Sequence, residues 1–542
     1  MNSRTSPANP RSTARRSFLK QATLAGVASS VAAETAWPRN GADHEGNSRA
    51  REALALRQQL AQAEFGLAVP SHPVNGDDEA YPGRIGSFSK GLPHNNIGEV
   101  DPVAYQTLLT ALNSGSHTSF EKITLGLGRK LTNPQAGLAF ELEGADSHAL
   151  AMRAAPAFAS AEEAAEMAEL YWMAFLRDVP FRQYSTDSTA ARAAADLSSM
   201  SDFRGPKENH RVTPATLFRD LSPGCLTGPY ISQFFWQVAP FGAEVLDRRM
   251  RTCVAGADYL TTTGEWLDVQ RGATVFRTAR YDDTRRYLRN SRDLAEWVHI
   301  DVLFQAYFTA LLCLLSTGAP PDQGNPYVLS RTQSAFGTFG DPYIASLLCA
   351  VARPALKAVW YQKWFVHRRL RPEAFGGRVH YHSTGAASYP LHVDILNSRA
   401  LTEVFRKQGT YLLPIAFPEG SPTHPAYGSG HATVAGACST ILKAFFDESW
   451  VLPNPVEASD DGLSLLPYQG SPLTVGGELN KLAANVAHGR NMAGVHWRTD
   501  ATEGMRLGEE IALSYLREEH ASFNEDFKGL SITRFDGTNI TV

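Results

Sequence analysis

The stretch from Val302 to Leu315, VLFQAYFTALLCLL, is apolar nearly all round, and it constrains the fold more than any other part of the chain. It is shorter than the roughly 20 residues a helix needs to cross a bilayer, and charges flank it closely. A helix that is hydrophobic on every side has to be enclosed by other elements, so the run predicts a central buried helix, Arg292 to Ser316 with its flanks. The sequence SAEEAAEMAELYWMAFLRDVP predicts a second long helix, opened by a capping box of Ser160 and Glu163 and ended by Pro180. Its residues Met167, Leu170, Tyr171, Ala174 and Phe175 form one core-facing stripe. Further helices are expected over 343–370, 397–408, 431–446, 479–488 and 499–518. Strand signals are confined to RVHYH at 378–382 and to a C-terminal hairpin in SITRFDGTNITV, turning at Asp536-Gly537.

At 542 residues the chain is long enough for two or more packed units. The expected organisation is a targeting segment over 1–36, a linker over 37–65, an N-terminal helical region over 66–290, a C-terminal helical bundle over 291–520 and a tail or hairpin over 521–542. The first segment pairs Arg15 with Arg16, follows with SFLK and a weakly apolar run, and ends in small residues near Ala32 to Ala36. It resembles a bacterial twin-arginine export signal, which implies a periplasmic or secreted protein. The formal charge is −4, and the five cations of that segment leave with it. A chain this acidic has no global footprint for nucleic acid or an anionic membrane, so its cations matter only where they cluster. Cys225, Cys253, Cys313, Cys349 and Cys438 are too scattered for a disulfide scaffold or a zinc site, although Cys225 and Cys253 remain a possible pair.

The cations cluster in three segments near the C-terminus: KWFVHRRLRP (363–372), HPAYGSGHAT (424–433) and GRNMAGVHWRTD (489–500). On a single helix ending before Pro372, Lys363 and Arg371 stand a little over two turns apart and converge on one ligand; alternatively, with Arg368, Arg369 and Arg378, they form a solvated basic face. Arginine forks at 371 and 490 suit oxyanion oxygens, and Lys363 adds a compact charge. Ser429-Gly430-His431 precedes an apolar helical stripe, so it sits at a helix N-terminus that favours an anion, or it is a simple N-cap. His496 is either a core histidine bonded to Asp500 or a neutral ligand whose second nitrogen is fixed by Asp500 or a carbonyl. His380 and His382 are expected in an ordinary surface loop rather than at a second metal.

Taken in order, Lys363, Arg371-Pro372, Ser429-Gly430-His431, Arg490, His496 and Asp500 resemble the signature shared by vanadium-dependent haloperoxidases and the type 2 phosphatidic acid phosphatase superfamily. The chain resembles the haloperoxidases more, and among them the bromoperoxidases, through the Lys363–Arg371 spacing, His424 seven residues before His431, and Trp360 as an aromatic wall. The resemblance covers roughly 90–520, with departures at Gly428 and Gly489, where the family usually carries Pro and Ser.

It implies an all-α fold of two packed helical bundles and a vanadate cofactor bound through His496. The oxygens of vanadate would be neutralised by Lys363, Arg371 and Arg490 and hydrogen-bonded by Ser429 and Gly430. It further implies His431 as acid/base, Lys363 polarising bound peroxide, His424 in halide selectivity, and Asp301 as the buried acid that pairs with Arg490. The implied reaction takes hydrogen peroxide and a halide, bromide first, to a hypohalous-acid equivalent that halogenates small organic molecules, in a homodimer or larger homo-oligomer. The alternatives are a phosphatase using His496 as nucleophile, or a binding protein that has lost turnover.

Overall fold

The computed structural model describes residues 43–274 and 278–542, so the twin-arginine segment lies outside the described residues. The described residues divide into two units, 43–66 and Leu67–Val542. Where a linker is expected, the described part of that first unit is a helix, α1 (Asp43–Phe65), rich in the Ala, Leu, Gln, Arg and Glu that favour helices most.

In the unit Leu67–Val542, the longer helices are α2 (Pro102–Ser114), α3 (Ala161–Phe175), α4 (Ser188–Ser199), α5 (Thr263–Gln270), α6 (Ser291–Trp297) and α7 (Gln305–Thr317). They continue as α8 (Asp341–Tyr361), α9 (Pro372–Ser383), α10 (Arg399–Gln408), α11 (Gly430–Phe445), α12 (Val475–Met492) and α13 (Arg498–Ala521). The strands form three short antiparallel hairpins: β1 (Pro240–Phe241) with β2 (Glu244–Val245), β3 (Val456–Ala458) with β4 (Leu465–Pro467), and β5 (Ser531–Thr533) with β6 (Asn539–Thr541). The last is the expected C-terminal hairpin, with Gly537 at φ +85° in its turn. One apolar core takes in residues from Met152 to Phe535, so helices on both sides of residue 290 share it.

The central helix is α11 rather than the apolar run first singled out. Every residue of α11 except His431 is buried, and it packs against α7, α8, α12 and α13. Its crossing with α13 is backbone on backbone: a Cβ on Gly436 would collide with the carbonyl of Met505, and one on Gly508 with the carbonyl of Thr433. The expected helix over 292–316 is two helices, α6 and α7, separated by a turn at Val298–Phe304 that exposes Ile300, Val302 and Leu303.

Other expectations change for local reasons. Lys363 and Arg371 do not share one helix: α8 passes into a π-helical turn, Gln362–His367, Arg368 adopts a left-handed φ of +44°, and Arg371 caps α9. The residues 378–382 are helical, because Pro372 at the first turn starts α9 and carries it through RVHYH. His380 and His382 accept hydrogen bonds from the backbone N–H groups of Tyr411 and Tyr389, so they are structural. Ser160 caps α3 through the N–H of Glu163, but the Glu163 carboxylate turns inward to Arg369. Cys225 and Cys253 are both free; Cys253 donates to Glu296.

Candidate oxoanion site

The backbone brings the three segments together at one end of α11. The π-helical turn lets Lys363 point inward, and its Nζ donates to the carbonyls of Pro425 and Ala426, both at 2.9 Å. Arg371 donates from Nε to the carbonyl of His424 (2.9 Å) and from Nη1 to the carbonyl of Val495 (2.7 Å) and to His496 Nε2 (2.9 Å). Its Nη2 donates to His424 Nδ1 at 2.9 Å. Arg490 lies near the end of α12; its Nη1 donates to the carbonyl of Val298 (2.8 Å), its guanidinium stands 5.3 Å from the centre of the Phe417 ring, and its buried Nε has no hydrogen-bond partner.

Tautomers follow from this donor set. A guanidinium only donates, so His496 Nε2 carries its lone pair, while Nδ1–H donates to Asp500 Oδ2 at 2.8 Å. Asp500 is held in turn by the N–H of Trp497 and by Arg369. The same logic leaves His424 neutral; its ring lies 4.7 Å from that of Trp360. Burial, followed by the repulsion of Arg371, Lys363 and Arg490, pushes His496 well below the ordinary imidazole value, and burial with Arg371 and Lys363 does the same to His424.

Ser429 is the N-cap of α11 and accepts from the N–H of Ala432. Gly430 follows at the first turn, where a Cβ would stand 3.2 Å from the Trp360 ring, closer than ordinary contact, so glycine leaves the helix N-terminus open beside that wall without moving the ring. Trp360 is itself fixed by a hydrogen bond from Nε1 to the carbonyl of Thr132. His431 is the most exposed histidine of the group, with 30% of its side chain accessible, and its Nε2 lies 2.9 Å from Asp301 Oδ1. The expected pairing of Asp301 with Arg490 is corrected to a longer-range attraction: the two make no ion pair, although the Asp301 charge favours the Arg490 guanidinium. The turn between α6 and α7 gives Arg490 a carbonyl, that of Val298, and gives the Asp301 carboxylate to His431.

Lys363, Arg371 and Arg490 are buried together and make no ion pair among the described residues. Burial lowers Lys363 well below the usual ammonium value, Arg371 to about 9 and Arg490 to about 10. Desolvated cations of one sign are expensive unless an anion joins them. A tetrahedral oxoanion fits this donor set: three cations, the orphaned Arg490 Nε, a serine hydroxyl, an open helix N-terminus and an imidazole lone pair.

The comparisons with known proteins agree with that chemistry. Residues 399–525 match the family described as the VCPO second helical-bundle domain. The vanadium-dependent bromoperoxidase of Corallina pilulifera is 36% identical, aligned over 92% of this chain and 99% of its own. That of Ascophyllum nodosum is also 36% identical, over 89% of this chain and 90% of its own. The chain belongs to the vanadium-dependent bromoperoxidases. The fold agrees: the second vanadate-dependent bromoperoxidase of Ascophyllum nodosum, described as homohexameric, superposes with a TM-score of 0.86 at 32% identity, covering 91% of this chain and 90% of that one.

Within this bromoperoxidase, Lys363, Arg371, His424 and His496 are linked through hydrogen bonds to one another and to the carbonyls of 424–426 and Val495. Ser429 donates its N–H to the Asp500 carbonyl, Gly430 packs on Trp360, Arg490 acts on His496 electrostatically, and His431–Asp301 is on the accessible side. Of the two departures, Gly489 has a packing reason: a Cβ there would press on Leu294 and Val298, the support of the Arg490 anchor. Gly428 is likewise closely packed, against Met152. One residue that sequence patterning did not single out is Arg369. It is buried, and it joins Glu163, Glu166, Thr499 and Asp500 behind His496. Only the buried acids of α3 signal it, and α3 reads as an ordinary amphipathic helix.

Proposed function

We propose that this pocket holds vanadate through His496 Nε2 and that the enzyme oxidises bromide with hydrogen peroxide to a hypohalous-acid equivalent. The observation that carries the reading is the group of three buried, unpaired cations around an imidazole lone pair. When bound, vanadate supplies Lewis-acid activation of peroxide toward halide. The chain's own residues do the rest. Lys363, Arg371 and Arg490 stabilise the negative charge in a site already organised for it. Asp500 and Arg369 keep the Nδ1–H tautomer of His496, so that Nε2 is the binding atom. Asp301 orients His431 through Nε2, leaving Nδ1 to take up and return the proton of peroxide. Trp360 and His424 close the apolar side, where His424 bears on halide choice.

The phosphatase alternative uses the same residues, with His496 as nucleophile, and membership of the bromoperoxidases favours halide oxidation over it. The deciding experiment adds orthovanadate to anion-free protein and measures peroxide-dependent bromination. Activity that appears with vanadate, and is lost together with vanadium retention in His496→Ala, supports the proposal. Phosphomonoester turnover without vanadate-dependent bromination would overturn it. The RRSFLK segment supports export through the twin-arginine route, and the homohexameric Ascophyllum relative supports a homo-oligomer.

A further inference from the structure

The turn between α6 and α7 supplies two parts of the pocket within four residues: the Val298 carbonyl that holds Arg490 and the Asp301 carboxylate that holds His431. The side chains that continue it do not anchor it, since Ile300 and Val302 are 56% and 59% exposed. What fastens the turn is His299. Its Nε2 lies 2.7 Å from Glu419 Oε1 and its Nδ1 3.4 Å from Glu296 Oε2, and its ring stacks on Phe417 at 3.8 Å and 10°. Phe417 is the same ring that the Arg490 guanidinium faces. Glu419 is fixed through its carbonyl by Lys90 and Arg129.

We infer that His299 is a positioning residue of the oxoanion site: bonded to both carboxylates and stacked on Phe417, it holds the 298–301 turn in the register that presents Val298 to Arg490 and Asp301 to His431. A single side chain thereby ties an arm of the anion grip to the acid/base histidine. Glu296 and Glu419 both favour its imidazolium, which sits at about 9, and strengthen the clamp at neutral pH. The inference rests on the oxoanion reading of the pocket but not on halide oxidation.

The test is oxoanion affinity rather than turnover. Anion-free protein is titrated with orthovanadate and, separately, with inorganic phosphate by equilibrium dialysis, in the wild type, His299→Phe and Glu419→Gln. His299→Phe keeps a ring on Phe417 and loses both carboxylate bonds; Glu419→Gln keeps the histidine and weakens its stronger bond. Both variants are expected to lower affinity about 10- to 100-fold, the usual effect of removing a partner that orients a ligand-binding side chain. In an Arg490→Met background the His299→Phe loss should shrink to a small fraction, a non-additivity that general loosening of the fold would not produce. Wild-type affinity in both variants, or full additivity with Arg490→Met, would overturn the inference. Should the protein bind oxoanions yet fail to brominate, the affinity result still decides the role of His299.

Discussion

Two groups of arginines lie side by side beneath the same helices, and their surroundings are opposite. Arg371 and Arg490, at 1% and 5% exposure, face the pocket, and their bonds go to carbonyls and imidazole nitrogens. Arg369 and Arg498, at 2% and 5%, lie behind it and are ion-paired, Arg369 with Glu163, Glu166 and Asp500 and Arg498 with Glu169, although Arg369 Nε, like Arg490 Nε, has no hydrogen-bond partner. Burial is equal, yet the carboxylates raise Arg369 and Arg498 above the ordinary guanidinium value, while burial lowers Arg371 to about 9 and Arg490 to about 10. Burial alone therefore does not mark function. Nor does a missing ion pair by itself, since Arg378 is also buried, lowered and, among the described residues, without one. The site differs in gathering three such cations around one imidazole lone pair.

Removing Arg369 should break the compensated group. Arg369→Met strands Glu163, Glu166 and Asp500 without their cation, and denaturant unfolding should show a loss of about 3–5 kcal/mol. The pocket should answer in the opposite way. Arg490→Met removes a charge with one carbonyl partner and an orphaned Nε, so the anion-free protein should lose less than about 1 kcal/mol or gain stability. A destabilisation equal to that of Arg369→Met would erase the distinction between the groups. Ligand should restore the balance: orthovanadate at about 100 times its dissociation constant should stabilise the wild type by about 2.7 kcal/mol, and much less so Arg490→Met, by thermal or chemical unfolding.

The pH dependence sharpens the comparison further. Lys363 and Arg371 are lowered by burial, and a bound anion favours their charged forms. Affinity is thus greatest where both are protonated, and the Arg371 contribution is lost as pH rises through about 9; sulfate, whose own charge is constant there, is the probe. Affinity independent of pH between 7 and 10 would contradict these lowered values. The smallest effect belongs to His299, raised to about 9 by Glu296 and Glu419 against burial. A raised folded value gives stability that is fully present below the unfolded value of about 6.5 and lost as pH climbs through about 9. The stability gap between wild type and His299→Gln should therefore narrow over that range.

The pocket was legible in the sequence where identity and order were enough. Lys363, Arg371, Ser429, Gly430, Arg490 and His496 each have a residue type suited to an oxoanion, and their order survives the folding detail. Arg369 was not legible, because nothing in HRRLRP says that a left-handed Arg368 ends the π-helical turn and sends its neighbours to different layers. Periodicity gave α3 a single core-facing stripe, whereas Glu163, Glu166 and Glu169 outside that stripe are buried too, against arginines from distant segments. The break at Val298–Phe304 had the same origin. An apolar run reads as continuous helix, and only the tertiary partners Arg490, His431 and Glu419 reveal a turn.

Where α11 and α13 cross, Gly436 and Gly508 leave main chain against main chain. The first helix begins at Ser429-Gly430-His431, and the second starts two residues after His496 and contains Asp500. The spacing between the proton-handling end and the anion-binding end is thereby gauged by peptide thickness, a dimension that does not change from rotamer to rotamer. Trp360 and His424 lie outside that crossing and do not set the gap. An alanine at either glycine would act as a shim, spreading the two helices and detuning the pocket from a distance.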